Sequence, residues 1–492
     1  MTPRGARISL PPVRSWRIGW LIPLAAAGML GFGILATAAD RGTVDGLALA
    51  VGIGCISAVV MRPDVGAMVL PTIIFANAGL VLNDGYGVPN VVSGLALLTL
   101  GALAASSEWR SRVLRATPVL IAFGAFAGLR IISAIQAPGA SDPRKVAQDV
   151  LVGVAIILVL SAIASRDDGL RHTVELVTIC AAVLAGLTLM RYVGIGGNWF
   201  GFVTDNPPNA EQQALSGRAG FQIQGDTSRA TGPLADANFW AQSLVLALPL
   251  AFWSIRRGPT ALGRWLAVGA ALLIATGIAL TQSRGGAIAA IIAVAVWLWF
   301  QGGRYRLAII VLPLVILLSV ALTGSTQRFE QLKDISDPAQ STEFKGRLSE
   351  NIAAFQMWRD HPVLGVGANE FPSNYRRYAA QIGLDARSER NAHNSYLQAA
   401  AETGTLGFLA FVAMVASGVW CGLRARSRLL AQRQIVTAGI CDALLAGLAG
   451  YLAAAVLLHQ AFPEYLWAWE GLLAGTLLLS GYRMRRLLGA QT

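Results

Sequence analysis

Apolar stretches long enough to cross a membrane recur along most of the chain. Each covers about 18–22 residues, enough for a helix to span a hydrocarbon core of roughly 30 Å. Backbone polar groups find no water in lipid, so such stretches must be helices that satisfy their own hydrogen bonds. Charged residues make up only 13% of the 492 residues, against roughly 25% in soluble domains. The sequence therefore predicts an all-α, polytopic membrane protein.

We predict about fourteen spans, and the weaker early stretches would allow twelve or thirteen. The N-terminal apolar run is longer than the roughly 7–15 apolar residues of a signal peptide, so we expect it to remain as the first helix. The expected limits are 18–38, 44–61, 65–82, 88–105, 117–134, 146–165, 173–194, 233–255, 262–281, 285–302, 305–323, 404–423, 436–458 and 463–481.

The net charge of +12 lies in short basic clusters between the apolar runs and does not form a nucleic-acid-binding patch. If the N-terminus is cytoplasmic and the sides alternate, these clusters all fall in the cytoplasm, as the positive-inside rule requires. Both termini are then cytoplasmic. The short outer loops hold only Arg41, Arg144 and Lys145 beyond the membrane ends. The cytoplasmic clusters are Arg4/7/14/17, Arg62, Arg110/112/115, Arg166/171, Arg256/257/264, Arg304/306, Arg424/426/428/433 and Arg483/485/486.

Two outer segments, 195–232 and 324–403, are too long to be simple turns. They divide the chain into a cytoplasmic N-terminus (1–17), about eleven spans (18–323), the large outer loop (324–403) and the last three spans with the C-terminus (404–492). We expect the large loop to form a small helical cap on the membrane surface, with helices near 343–359 and 369–381. Apolar residues three or four apart support the first helix; they are Phe344, Leu348, Ile352, Phe355 and Trp358.

His393 and several arginines are the candidates for chemistry. His393 is predicted at the edge of the membrane on its outer side. It could act as a general base, or it is a surface-loop histidine. Arg284 lies between two apolar runs with almost no loop, and an ionisable group at that depth suggests function. Arg130 and Arg191 lie near outer span ends, where snorkelling to the interface is the simpler explanation.

The remaining candidates each have a structural alternative. Arg347 flanks the apolar face of the predicted cap helix, and it could point toward the membrane or pair with Glu343. Glu402 could orient His393 or cap a helix. Asn238, with Asp236, could cap a span or bind sugar hydroxyls. Arg376 and Arg377 could bind phosphate or sugar, but solvated charge is the simpler explanation. No metal-binding or cofactor motif is present, so neither a metal nor a cofactor is expected.

These residues together resemble the O-antigen ligase superfamily of membrane glycan ligases and polymerases. The matching elements are Arg347 followed by WRDHPVLGVGANEF (358–371), then HNSYLQAAAETGTLG (393–407), a His-Asn pair nine residues before Gly-x-x-Gly. Upstream, TQSRGG (281–286) and GPLADANFWA (232–241) are similar to further segments of that family.

The resemblance implies an inverting, metal-independent transferase of the GT-C type in the bacterial inner membrane, with a periplasmic active site. Its donor would be a glycan on undecaprenyl diphosphate, and its acceptor a lipid A core or a second lipid-linked glycan, so membrane lipids are the expected surroundings. By the same resemblance His393 is the catalytic histidine, and Arg284 and Arg347 bind the donor diphosphate. Arg191, Asn394, Glu402, Asn238, Arg376 and Arg377 are possible supporting residues.

Two other functions remain open. A protein O-oligosaccharyltransferase of the same family would differ only in its acceptor. A transporter or lipid-linked glycan flippase would suit many spans and buried arginines, but transporters often show repeated halves and binding sites at the membrane midplane. The polar residues here gather at one face, which favours the transferase.

Overall fold

The computed structural model describes residues 56–86, 91–137, 142–195, 221–224, 227–234, 236–257, 260–303, 305–306, 341–381, 391–458 and 463–489. Ser57–Thr492 forms one unit. Its helices are α1 (Pro63–Phe75), α2 (Ala78–Tyr86), α3 (Val91–Ala105), α4 (Ser107–Val113), α5 (Pro118–Gln136), α6 (Pro143–Ala164), α7 (Asp167–Tyr192), α8 (Ala237–Arg257), α9 (Ala261–Leu280), α10 (Arg284–Gln301), α11 (Ser341–Asp360), α12 (Phe371–Gln381), α13 (Ser395–Ala431), α14 (Ile435–Ala454) and α15 (Pro463–Gly489).

The fold class predicted from the sequence is confirmed: the described chain is an all-α, multi-pass membrane protein. Eight of its helices are long and apolar enough to cross a membrane, namely α5 to α10, α13 and α14. A ninth span arises if α3 and α4, which meet at a 115° bend, are taken together. The last predicted span corresponds to α15, which carries the buried Glu470 in its first half and is not among the eight.

Two expectations for the early spans need correction. The predicted span 65–82 is a broken helix, because α1 ends at Phe75 and Asn77 takes a left-handed conformation (φ 49°) before α2. The Asn77 side chain donates to the Pro233 carbonyl at 3.0 Å, which holds the break in place. The arginines after 105 lie partly on the short helix α4 instead of in a loop. The predicted spans 18–38 and 305–323, and most of 44–61, lie outside the described residues.

One short sheet interrupts the helices. Strands β1 (Phe221–Gln224) and β2 (Thr227–Ala230) form an antiparallel pair in which Phe221 lies opposite Ala230. A single 3-10 turn, Gly232–Leu234, then leads into α8. The sequence analysis missed this hairpin, although a Gly-Asp pair between two short segments is a hairpin signal.

The bundle has two chemically different ends. At the basic end, side chains from separate helices pair with one another: Arg112 donates to Ser165 Oγ at 2.9 Å, and Arg166 pairs with Glu108 at 2.7 Å. Arg483 pairs with Asp167 at 3.0 Å. The opposite end, called the site end below, holds Arg284 and His393 together with the cap formed by α11, α12 and residues 361–370.

The cap has a hydrophobic core of its own. This core is separate from the large core of the bundle and is built mainly from α11, α12 and the first turns of α13. The hydroxyl groups of Tyr375 and Ser349 form a hydrogen bond of 2.8 Å inside this core. Its buried members are Ala353, Ala354, Met357, Val366, Phe371, Tyr375, Tyr378, Ala379, Ala392 and Ala401. The cap is therefore a folded element, with helices at both places where the sequence predicted them.

Candidate active site

His393 is paired with a carboxylate from the cap. Its Nδ1 lies 2.5 Å from Glu350 Oε2, and the Glu350 side chain is only 1% exposed whereas that of His393 is 32% exposed. A carboxylate on one ring nitrogen favours the tautomer with the proton on that nitrogen, so Nε2 carries the lone pair. This arrangement gives a half-exposed imidazole with a fixed orientation, which suits a general base.

Glu350 was missed by the sequence analysis. It lies 43 positions before His393 in sequence. On α11 it follows Arg347 by three residues, about one helical turn. Residues three apart share a helix face, so Arg347 and Glu350 reach the same side of α11. Glu402, one of whose proposed roles was to orient His393, instead lies buried in α13, where its carboxylate accepts from Gln398 Nε2 at 3.0 Å. The carboxylate that contacts His393 is that of Glu350.

Asn394 and Ser395 fix the backbone beside His393. The Asn394 Oδ1 caps α13 by accepting from the backbone N–H groups of Tyr396 and Leu397 at 3.0 and 3.1 Å. Ser395 Oγ donates to the Leu458 carbonyl at 2.6 Å, and its N–H donates to Ala455 at 2.9 Å. His393 is thereby tied to the site end of α14.

At the start of the Gly-x-x-Gly element, the backbone of α13 crosses the cap segment around residues 362–366 in close contact. Gly404 interrupts α13 with φ 66° and ψ −169°, and it separates a lead-in helix (395–403) from the part that spans the bundle. A Cβ on Gly404 would collide with the Val363 backbone, and one on Gly365 (φ 71°) with that of Glu402. Because both are glycines, Val366 N–H can donate to the Ala401 carbonyl at 2.9 Å, and Thr405 N–H to Pro362 at 2.7 Å.

The lead-in helix crosses the end of the bundle. Its first residue, Ser395, contacts Ala455 just beyond α14, and its other end lies against α5, where Ser133 Oγ donates to the Glu402 carbonyl at 2.6 Å. Arg130, one turn away from Ser133 on α5, is buried and donates to Asn369 Oδ1 of the cap at 3.0 Å. Below the lead-in helix lies a largely apolar cavity lined by Phe126, Arg130, Ser395, Phe411, Met414, Tyr451, Leu452, Ala455, Pro463, Leu466 and Trp467.

The turn that carries Arg284 is held by a buried arginine that the sequence analysis did not select. Arg229, on β2, donates through Nε to the Thr281 carbonyl and through Nη2 to Asn238 Oδ1, both at 2.9 Å. Asn238 Oδ1 also accepts from Ser283 Oγ at 2.8 Å. The segments TQSRGG and GPLADANFWA, separate in sequence, therefore meet around one guanidinium.

Arg284 is the first residue of α10 and is exposed. The following Gly285 lies against Leu457, since a Cβ there would be 3.0 Å from Leu457 Cδ1. Leu457 precedes Leu458, the carbonyl partner of Ser395. Arg284 and His393 are thus attached to the same turn, 455–458, at the site end. Arg347 is half-buried on α11. It lies at the same end of the bundle, because Glu350, three residues later on α11, contacts His393.

The other candidates are more dispersed. Asp236 caps α8 by accepting from the N–H groups of Asn238 and Phe239, which favours its structural role. Arg191 lies in the last turn of α7, half-buried at the site end. Arg376 and Arg377 are exposed on α12, and Arg377 stacks over the Tyr378 ring at 5.0 Å. Burial, helped by the Asp360 carboxylate, raises the pKa of Tyr378 and keeps its hydroxyl neutral.

The fold and this site define a multi-pass membrane protein that presents a histidine–carboxylate pair and arginines at one end of its bundle. Residues 269–412 match the O-antigen ligase family model. The match contains Arg284, Arg347, Glu350 and His393, and it confirms the resemblance found in the sequence. The match supports a membrane glycan ligase or polymerase in general. No curated protein gives a significant match.

Proposed function

We propose that this protein transfers a glycan from undecaprenyl diphosphate to an acceptor hydroxyl at the periplasmic face of the bacterial inner membrane. The observation that carries the proposal is the His393–Glu350 pair, which lies on the same end of the bundle as Arg284 and Arg347. The acceptor is a lipid A core or a second lipid-linked glycan. The periplasmic assignment rests on the arginine clusters of the opposite end, which belong in the cytoplasm.

The reaction follows from the groups present. His393 Nε2 accepts the proton of the acceptor hydroxyl, while the Glu350 carboxylate stabilises the imidazolium that forms. The hydroxyl oxygen attacks the anomeric carbon from the side opposite the diphosphate, so the new bond has inverted configuration. The bond between the anomeric carbon and the diphosphate oxygen breaks, and undecaprenyl diphosphate leaves as an anion.

Arg284 and Arg347 would neutralise that leaving group. Guanidinium groups stay charged and offer forked donors that match phosphate oxygens, and fixed cations at a developing anion are an effective source of catalysis. The donor's polyprenyl tail remains in lipid while its diphosphate lies at the interface. The family resemblance adds the expectation that no metal is needed.

The test is glycan transfer by the purified protein with a lipid-linked donor. His393→Ala should abolish transfer while the amount of protein in the membrane stays unchanged; normal glycan chains in that variant would remove His393 from the mechanism. Wild-type transfer should survive EDTA, and a strict requirement for Mg²⁺ or Mn²⁺ would contradict the proposal. An acceptor panel with lipid A core and lipid-linked glycan then separates ligase from polymerase.

A further inference from the structure

Helix α11 has its apolar stripe on the outside of the cap. Its inner face packs Ala353, Ala354 and Met357 into the cap core, and Glu350 is buried on the same side. Three large apolar residues face outward instead: Leu348 is 48% exposed, Ile352 37% and Phe355 52%. The periodicity in the sequence predicted an apolar face, and the structure shows that much of this face points away from the protein.

The stripe continues into the exposed apolar surface of α13. The ring centroids of Phe355 and Trp358 are 6.0 Å apart, and those of Trp358 and Phe408 are 6.2 Å apart. Trp358 Nε1 also donates to Thr405 Oγ1 at 3.0 Å. Beyond this contact the exposed apolar residues are Val363, Leu406 and Leu409. The last two belong to the part of α13 that crosses the bundle, so the band runs from the cap onto a membrane-facing surface.

The direction of α11 follows from its two ends. Glu350 contacts His393 before the lead-in helix, and Trp358 contacts Thr405 just after it. Helix α11 therefore runs beside the lead-in helix, which itself crosses the end of the bundle from Ala455 to Ser133. A helix in that position lies where the bundle leaves the membrane, and its stripe is level with the start of the membrane-facing part of α13.

We infer that Leu348, Ile352 and Phe355 form a membrane-docking stripe that rests in the acyl-chain region of the lipid leaflet at the site end. A helix with one apolar and one polar face lies in a membrane interface in this way, and tryptophan is enriched at that depth. Lipid is the occupant because the stripe is continuous with the surface that α13 presents to the bilayer. An exposed apolar band of this extent is otherwise unfavourable in water.

This docking deepens the proposed function and rests on it in one respect. Arg347 directly precedes Leu348, so a stripe anchored in lipid holds the guanidinium near the lipid phosphate groups. The diphosphate of a polyprenyl-linked donor lies at that same depth. The stripe therefore sets the height at which Arg347, Glu350 and His393 meet a lipid-borne substrate.

The direct test measures depth and does not depend on catalysis. Single cysteines at positions 352 and 355, in a variant without the native cysteines, are spin-labelled in proteoliposomes of phosphatidylethanolamine and phosphatidylglycerol. We expect each label to be more accessible to oxygen than to a water-soluble nickel chelate, as a label at the membrane-facing Leu409 should be. A label at Gln381, exposed on α12, should show the opposite preference. Chelate preference at 352 and 355 would place the stripe in water, and loss of access to both reagents would place protein on it; either result overturns the inference.

A second test addresses the substrate. Ile352→Asp and Phe355→Asp should lower transfer from a full-length polyprenyl donor about tenfold or more, since misplacement by an ångström can cost a hundredfold. Transfer from a short-chain, water-soluble diphosphate donor should fall much less, and Gln381→Asp should change neither. Equal losses with both donors would contradict a role in docking. Absence of transfer in the wild-type protein would overturn the proposed function, while the spin-label result would still decide the position of the stripe.

Discussion

Both ends of the bundle carry arginines and carboxylates, but they hold them in different surroundings. At the basic end Arg166 pairs with Glu108 and Asp168, and the three side chains are 34%, 67% and 53% exposed. At the site end the Glu350 side chain is 1% exposed and Arg229 is buried. Exposed ion pairs contribute about 0–1 kcal/mol, whereas burying a charged group costs several kcal/mol before its partners compensate.

This difference in burial indicates different roles for the two ends. The basic end sets the orientation of the protein in the membrane, and the site end takes part in the proposed reaction. The basic end needs only net positive charge on one side of the membrane, so its individual pairs are replaceable. The Asp168 hydrogen bond raises the pKa of Arg166, but a guanidinium is charged at neutral pH without such a partner. The site end instead fixes single polar groups in single geometries, and each should matter on its own. Matched substitutions at the two ends can break or sharpen this contrast.

The largest effect is expected at Glu350. Glu350→Gln keeps the size but offers His393 an amide N–H in place of a carboxylate, which favours the tautomer with the proton on Nε2. Transfer should fall about 10²–10⁴-fold, the usual contribution of a correctly poised base. The measurement is the transfer rate at saturating donor, together with the thermal unfolding midpoint in detergent. Glu108→Gln is the matched control and should keep the wild-type rate. Full activity of Glu350→Gln would remove Glu350 as a positioning residue.

The second largest effect is expected for Arg229→Met. The change removes the hydrogen bond to the Thr281 carbonyl, in the turn before Arg284, and the hydrogen bond to Asn238 Oδ1. Charged hydrogen bonds of this kind contribute about 1.5–3 kcal/mol each. We expect a lower unfolding midpoint and a raised KM for the donor, because Arg284 loses its support. Arg229→Lys, which can still reach the Thr281 carbonyl, should restore part of both.

The matched control for Arg229 is Arg171→Met, at the exposed i, i+4 pair with Asp167. It should leave the KM unchanged and shift the midpoint only slightly. If Arg171→Met and Arg229→Met behave alike, the buried arginine is not a special support of the site.

Gly404→Ala tests the backbone crossing. Alanine tolerates φ 66° poorly, at a cost of about 1–3 kcal/mol for such a strained residue, and its Cβ would push against Val363. Protease cleavage within the cap should become faster at a temperature where the wild-type protein resists it. Gly124→Ala on α5, where a Cβ meets nothing within 4 Å, is the control and should be neutral. An intact, protease-resistant cap in Gly404→Ala would mean that the crossing tolerates a side chain.

The sequence predicted where most of the described spanning helices lie, and it selected His393 as a candidate, but it did not reveal the partners of the candidate site. Span length and charge alternation are local patterns, so α5 to α10 fall close to their predicted limits. Contact between Glu350 and His393, which are 43 positions apart in sequence, depends on how the cap folds, and no local pattern encodes that. Arg229 was hidden for a similar reason, because two of its partners, Asn238 at the start of α8 and Thr281 just after α9, are separated in sequence by most of these two helices.

Periodicity has a further limit, visible on α11. It shows that Leu348, Ile352 and Phe355 share a face, but an apolar face can turn toward a protein core or toward lipid. The orientation is shown by the residues on the other face, Ala353, Ala354 and Met357, which are packed in the cap core. In a membrane protein, therefore, an apolar stripe in a loop predicts a helix without predicting its orientation.

The smallest effect is expected for Arg166→Gln at the basic end. The substitution removes the pairs with Glu108 and Asp168 and the stacking of Arg166 over Trp109 at 5.3 Å. Because these groups are partly solvated, we expect a loss of only about 0–1 kcal/mol for each pair, and less in 1 M salt, where charges are screened beyond roughly 3 Å. Unfolding midpoints at low and high salt measure this, and the transfer rate should match the wild type. A loss of transfer as large as that of Arg229→Met would show that the basic end takes part in the reaction, and the division of the bundle into a topological end and a chemical end would fail.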